Sequence, residues 1–131
     1  MSSSSPIKRI AIFGSTGSVG TQALEVIAAH PDKFSVEILT CNGNDELIIQ
    51  QAITFNPNIV VVGDETKYGK IKEALAATNV KIFAGEKALE EVASMDCYDV
   101  MLAAIVGYAG LKPTLNAIDA GKPIALANKE T

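Results

Sequence analysis

Basic charge is scarce in this 131-residue sequence: 11 Lys and Arg stand against 15 Asp and Glu, a formal net charge of -4 with a pI near 4.9. That balance disfavours a general nucleic-acid role, because phosphate backbones attract basic surfaces. Cysteine is also scarce. Cys41 and Cys97 are too few and too far apart for a disulfide framework or a zinc site, and a reducing cytoplasm follows as the default compartment. The single histidine, His30, precedes Pro31 at an expected helix end and reads as a surface cap rather than a ligand or base. No apolar run approaches the roughly 20 residues that span a bilayer. The opening "MSSSSPIK" has neither the apolar stretch of a signal peptide nor the arginines of a transit peptide, so residues 1–6 are expected to be a short flexible tail. Repeats, low-complexity tracts and internal linkers are absent. What remains is 48% hydrophobic and 20% charged, a composition that supports one globular domain over residues 7–131.

Apolar runs alternate with helical patterns along that domain. Strands are expected at Lys8–Phe13, Ser35–Thr40, Ile59–Val62, Lys81–Ala84, Asp99–Ala103 and Pro123–Ala127. Most are short and rich in Val and Ile, as in parallel sheets covered on both faces. The first helix is expected from Ser18 to about Ala29, with Val19, Ala23, Val26 and Ile27 at helical spacing, ending near His30-Pro31. A second starts at the N-cap Asn44, with Asp45 and Glu46 facing the positive helix end. Others are expected at Thr66–Ala77, Glu86–Ala93 and Leu111–Ala120, the last opened by Pro113 and closed by Gly121. A strand-helix unit repeated five times and closed by a sixth strand implies an α/β fold: a doubly wound, Rossmann-like parallel sheet with right-handed crossovers. In such sheets ligands bind at the carboxyl ends of the strands. The sequence stops just past that point in its sixth strand, which suggests a piece of a longer protein.

"GSTGSVG", Gly14 to Gly20, follows the first strand and opens the first helix. In such a turn the first glycine permits the bend, the second lets backbone approach a pyrophosphate, and the third lets helix pack on strand. The helix end directs free N–H groups and its positive dipole at phosphate, and the hydroxyls of Ser15, Thr16 and Ser18 can add donors. The spacing is G-x-x-G-x-x-G, with Thr16 where the dinucleotide fingerprint has its second glycine. No Lys-Ser or Lys-Thr follows, so a P-loop is excluded. An ordinary glycine-rich turn without a ligand is the competing reading.

The end of the second strand chooses between cofactors. A carboxylate there would hold the ribose 2′-OH of NAD. Here "LTCNGN" carries none before Asp45, which already belongs to the next helix. A neutral turn of Asn42, Gly43 and Asn44 accepts a 2′-phosphate without repulsion, so NADP is preferred to NAD, although no arginine is present to hold it. At the other end of the chain, Asn128, Lys129 and Glu130 close the sixth strand. Polar residues in that position would face the nicotinamide end of a dinucleotide, with Lys129 offered to an anionic substrate. A solvated loop is the alternative.

"GSTGSVG", "AAIVGYAGLKPTLNAIDAGK" and "LANKET" together resemble the N-terminal domain of the 1-deoxy-D-xylulose 5-phosphate reductoisomerase family, over roughly residues 7 to 131. The resemblance implies an NADPH-dependent enzyme of non-mevalonate isoprenoid biosynthesis. Such an enzyme rearranges and reduces 1-deoxy-D-xylulose 5-phosphate to 2-C-methyl-D-erythritol 4-phosphate, needs Mg or Mn, and is usually a homodimer. It implies cofactor contacts at Thr16, Gly17, Ser18 and Val19, at Asn42, Gly43 and Asn44, and at Asn128 and Glu130, with Lys129 on the substrate. In many relatives the turn after the second strand reads glycine, basic residue, asparagine; here only Asn44 matches. The family's metal-binding carboxylates lie in a later domain, so no metal ligand and no catalytic group is assigned here, and Glu90, Glu91 and Asp99 read as solvated carboxylates. Alone, the 131 residues are expected to bind NADPH weakly and to catalyse nothing. Three other readings stay open: the NADP domain of a different reductase such as a semialdehyde dehydrogenase, a nucleotide-sensing module without chemistry, and a purely structural domain whose edge strand pairs with neighbours.

Overall fold

A computed structural model of the chain describes residues 7–104, 121 and 123–126. Within them lie strands β1 (Lys8–Phe13), β2 (Phe34–Cys41), β3 (Ile59–Val62), β4 (Lys81–Ala84), β5 (Val100–Ala103) and β6 (Ile124–Leu126). Helices α1 (Ser18–Ala29), α2 (Asp45–Phe55), α3 (Tyr68–Ala74) and α4 (Glu86–Ala93) connect the first five. The strands form one sheet in the order β4-β3-β2-β1-β5-β6, and every neighbouring pair is parallel. The chain walks outward from β1 to β4, then crosses back to the other side of β1. That reversal is the switch point of a doubly wound sheet, and it places the crevice at the carboxyl ends of β1 and β5.

Both faces are covered because the strands bury both sets of side chains. Ile10 and Ile12, Leu39 and Cys41, and Val60 and Val62 point to one face. There they meet Leu24 and Ile27 of α1, Ile48 and Ala52 of α2, Ile71 of α3, and Leu75, which caps that helix. Ala11, Phe13, Ile38, Val61 and Met101 point to the other, against Leu89, Val92 and Ala93 of α4 and against Tyr98. The Tyr98 ring is fully buried and its hydroxyl donates to the Ala93 carbonyl, so the polar tip is satisfied inside the core. In β2, strict alternation would put Val36 and Ile38 on the same face. A bulge prevents this: Ile10 pairs with Val36 but Ala11 pairs with Ile38, and the extra residue, Glu37, re-phases the strand.

Several boundaries differ from expectation. β2 is longer by one residue at each end and β5 starts at Val100 rather than Asp99. The third helix divides into a 3-10 turn, Glu65–Lys67, and α3. It stops before Ala77 because Thr78 folds back, its N–H (3.0 Å) and hydroxyl (2.6 Å) both donating to the Leu75 carbonyl. The buried stripe of α1 is Gly20, Leu24 and Ile27, whereas Val26 is 57% exposed. His30 caps α1 as expected, donating its N–H to the Ile27 carbonyl. Asp99 is not simply solvated: its carboxylate takes the Arg9 guanidinium at 3.0 and 3.2 Å and the Arg9 backbone N–H at 2.9 Å. Arg9 thereby pulls the Asp99 carboxyl down to about 2. The tail of residues 1–6, the helix expected at Leu111–Ala120, and Ala127 lie outside the described residues.

Candidate functional site

β1 ends at Phe13, and the chain turns through Gly14 at φ 93°, a conformation that favours glycine. The turn is tied to β2: the Gly14 N–H donates to the Thr40 hydroxyl (3.0 Å) and the Ser15 N–H to the Thr40 carbonyl (2.8 Å). Gly20, in the first turn of α1, serves packing. A Cβ there would lie 2.3 Å from the Gly14 carbonyl oxygen and 2.7 Å from the Ser15 Cα. The first and third glycines therefore do what the spacing predicts.

Gly17 differs from both. It is the N-cap of α1, with ordinary extended backbone (φ -79°, ψ 174°) and no side-chain cap. A Cβ there would meet only the Gly14 oxygen, at an ordinary 3.7 Å. Nothing in the described fold demands glycine at this exposed position. Serine, threonine, aspartate or asparagine would cap the helix better. The first helical bond runs from the Thr21 N–H to the Gly17 carbonyl (2.9 Å), so the N–H groups of Ser18, Val19 and Gly20 come before the helix's own ladder. Thr16 and Val19 are half-buried and Ser18 is exposed.

Ser15 requires a correction. Its hydroxyl was offered as a phosphate donor, but the residue is fully buried. The hydroxyl donates to Gln51 Oε1 at 2.8 Å, and Gln51 Nε2 donates back to the Ser15 carbonyl at 2.9 Å. Gln51, itself 7% exposed on α2, thus clamps the glycine loop from the next crossover. The sequence reading missed it. No local spacing links residues 36 apart; a polar side chain on the inner face of a helix is the only signal.

The second turn, Asn42–Asn44, follows β2 and sits beside the glycine loop, since adjacent strands are about 5 Å apart. Asn44 caps α2 as expected, its Oδ1 accepting the Leu47 N–H at 3.3 Å, which leaves its NH2 group as the donor it can offer a ligand. Asn42 and Asn44 are exposed and Gly43 is half-buried. The end of β3 is stitched to this turn through the Gly63 N–H to the Cys41 carbonyl and the Asp64 N–H to the Asn42 carbonyl, both 2.8 Å. Burial pushes the Cys41 thiol up to about 12, so it stays protonated. Two carboxylates flank the turn. Asp64 is held below the ordinary range by the Thr66 hydroxyl and N–H. Burial raises Asp45, but the Lys70 ammonium, the Glu46 N–H and Lys67 together outweigh it and hold the carboxyl low.

Asn128, Lys129 and Glu130 lie outside the described residues, as does the stretch Ile105–Ala120; β6, which precedes the tripeptide, runs parallel to β5 and so ends on the same side of the sheet as the glycine loop. Among the described residues no group of three or more His, Cys, Asp or Glu is gathered to hold a metal ion, and no helix is long and apolar enough to cross a membrane. Two open grooves of about 330 and 460 Å³ follow the β4 edge around Ile82 and Phe83, away from the loop.

Residues 10–131 match the family described as 1-deoxy-D-xylulose 5-phosphate reductoisomerase. A protein of Phocaeicola vulgatus bearing that name is 55% identical over 124 residues, covering 95% of this chain and 32% of its own length. One of Bacteroides fragilis is 56% identical over the same coverage. The chain therefore spans about a third of the length of the curated relatives it matches. Among solved structures, the Zymomonas mobilis reductoisomerase in complex with NADPH superposes with a TM-score of 0.89 at 41% identity, over 94% of this chain and 32% of that one. A DOX-P reductoisomerase in complex with NADPH, fosmidomycin and magnesium gives 0.88 at 35% identity, over 93% and 30%.

Proposed function

The chain belongs to the 1-deoxy-D-xylulose 5-phosphate reductoisomerase family, and from that premise we propose that residues 7–131 are the NADPH-binding domain of such an enzyme, with 1–6 as a flexible tail. The whole protein would convert 1-deoxy-D-xylulose 5-phosphate to 2-C-methyl-D-erythritol 4-phosphate. The observation that carries the cofactor assignment is Gly17, an exposed glycine that the fold does not require, set between two glycines that it does. Its missing side chain clears the space where a pyrophosphate would meet the opening N–H groups of α1.

NADPH, when bound, supplies the hydride that reduces the rearranged aldehyde. The chain's own part is to bind and orient. Thr16, Gly17, Ser18 and Val19 would hold the pyrophosphate, with Gln51 keeping Ser15 and hence the loop in shape. Asn42, Gly43 and Asn44 would take the adenosine end. Asn128 and Glu130 would take the nicotinamide end and Lys129 the phosphorylated sugar; what supports those three is the family resemblance and the strand order that brings β6 to this side of the sheet. The Mg or Mn that the family uses finds no fitting set among the described residues, and no step is assigned to it. A homodimeric whole enzyme in the cytoplasm completes the reading.

Titrating the 15N-labelled chain with NADPH tests the cofactor site. Shifts centred on the amides of Gly14, Gly17, Ser18 and Val19 are expected. Gly17→Ala is expected to keep the melting temperature, because its Cβ finds ordinary contacts, yet to weaken NADPH on the order of tenfold or more by intruding on the phosphate. Shifts elsewhere, or a variant that binds as well as the wild type, would refute the assignment. In a polypeptide that carries this chain at the length of its relatives, NADPH consumption on 1-deoxy-D-xylulose 5-phosphate should appear with Mn and be absent from the 131 residues alone.

A further inference from the structure

If the adenosine end lies at Asn42–Asn44, as proposed above, the 2′-phosphate of NADPH meets a turn with no cation of its own. A dianion there would also meet carboxylates. Asp45 follows the capping residue Asn44 directly, Glu46 comes next, and Asp64 Oδ2 lies 3.9 Å from where a Gly43 Cβ would stand. Left uncompensated, these charges would repel a 2′-phosphate and favour the plain ribose of NADH.

The third crossover supplies the missing charge. Lys70 of α3 reaches the start of α2 and sets its ammonium 3.2 Å from Asp45 Oδ2 and 3.7 Å from Glu46 Oε2, with its side chain still 55% exposed. Lys67, in the 3-10 turn before α3, acts on both Asp45 and Asp64, and its N–H donates to the Asp64 carbonyl at 3.0 Å. An ammonium carries three donors on a rotatable stem. Lys70 can hold Asp45 with one and, being 55% exposed, keep another for a ligand beside Asn44.

We propose that Lys70, supported by Lys67, is the residue that makes this chain select NADPH over NADH: it comes from the β3–α3 segment and does for the 2′-phosphate what a basic residue in the β2–α2 turn would otherwise do. The proposal rests on the cofactor site proposed above. It also sets the sign of two substitutions. Removing Lys70 exposes Asp45 and Glu46 to the phosphate. Removing the charge of Asp45 frees the ammonium for it.

The two variants are therefore compared on both cofactors, by titration calorimetry on the chain at low and at physiological salt. Lys70→Met is expected to weaken NADPH about tenfold, the low end for an exposed charge-assisted contact, and to leave NADH within about twofold. Lys70→Arg should retain most of the preference. Asp45→Asn should tighten NADPH and leave NADH unchanged. A purely structural role, pinning α3 to α2, has a different signature: Lys70→Met and Asp45→Asn would then lose stability together and weaken both cofactors alike. That result, or a Lys70→Met variant with the wild-type NADPH to NADH ratio, overturns the proposal while leaving the glycine-loop site standing. Absence of any NADPH shift at Gly14–Gly20 in the wild type would remove the site and this inference with it.

Discussion

At the amino end of the sheet, Arg9 and Asp99 consume one another. The carboxylate takes two guanidinium bonds and one backbone N–H, and the Asp99 N–H returns a bond to the Arg9 carbonyl at 2.7 Å. At the carboxyl end, the polar bonds run inward and leave the rim exposed. Thr40 and Gln51 fasten Gly14 and Ser15 from behind, while Gly17, Ser18, Asn42 and Asn44 face solvent. One end closes β1 to β5 with charge; the other holds a loop with buried neutral groups and leaves its outer side exposed. In the cofactor site proposed above, Thr40 and Gln51 would pre-organise the loop from behind.

Substitutions at three positions break that contrast in graded fashion. Gly20→Ala should cost most, about 3 kcal/mol or more, because the new methyl would sit 2.3 Å from a backbone oxygen that cannot move aside cheaply. Urea unfolding measures it; a loss under about 1 kcal/mol would show that α1 tolerates a wider seat. Gln51→Leu comes next, at about 2 kcal/mol, since it strands the buried Ser15 carbonyl and leaves the Ser15 hydroxyl only the longer bond to the Thr40 carbonyl at 3.3 Å. NADPH affinity should fall with it. Asp99→Asn should be mildest and should leave NADPH binding unchanged. In the folded chain Asp99 titrates at about 2, below the roughly 3.9 of an unfolded aspartate. Its contribution is therefore complete above about pH 4 and disappears as pH falls towards about 2. The variant should melt somewhat lower at neutral pH and lose less than the wild type on acidification. A thermal scan series across pH 2 to about 7 checks both limbs, and an unchanged acid slope would remove Arg9–Asp99 from the account.

The sheet was legible in the sequence because buried parallel strands are continuous apolar runs, and "IVVV" at Ile59–Val62 needs no partner to be recognised. The cap at Asn44 and the turn at Gly14 were legible for the same reason: each acts on its own backbone neighbourhood. The buried stripe of α1 begins at Gly20, which carries no hydropathy signal, so the pattern read from the sequence is displaced: it includes the exposed Val26 and omits Leu24. The Glu37 bulge hid in a strand whose alternation reads smoothly either way. The Ser15 hydroxyl reads from the sequence as one that can add a donor to phosphate, because a hydroxyl between glycines looks available, and its actual partner arrives from a different crossover. The Lys70–Asp45 pair was invisible likewise, joining residues that only the neighbouring packing of α2 and α3 brings together.

The strand order has a consequence for how the molecule comes into being. β1 is made before the other five strands of this sheet, yet it lies in the interior, between β2 and β5. One flank can close soon after β2 emerges, with Lys8 set against Phe34. The other pairs Ile10 with Val100 and must wait until some ninety further residues have left the ribosome. Long-separation pairings of this kind are slow to form, since loop closure is opposed by entropy before any contact rewards it. The strand that carries the glycine loop is thus among the earliest made and the latest finished, and its unpaired edge is what a nascent chain of this fold must keep from its neighbours.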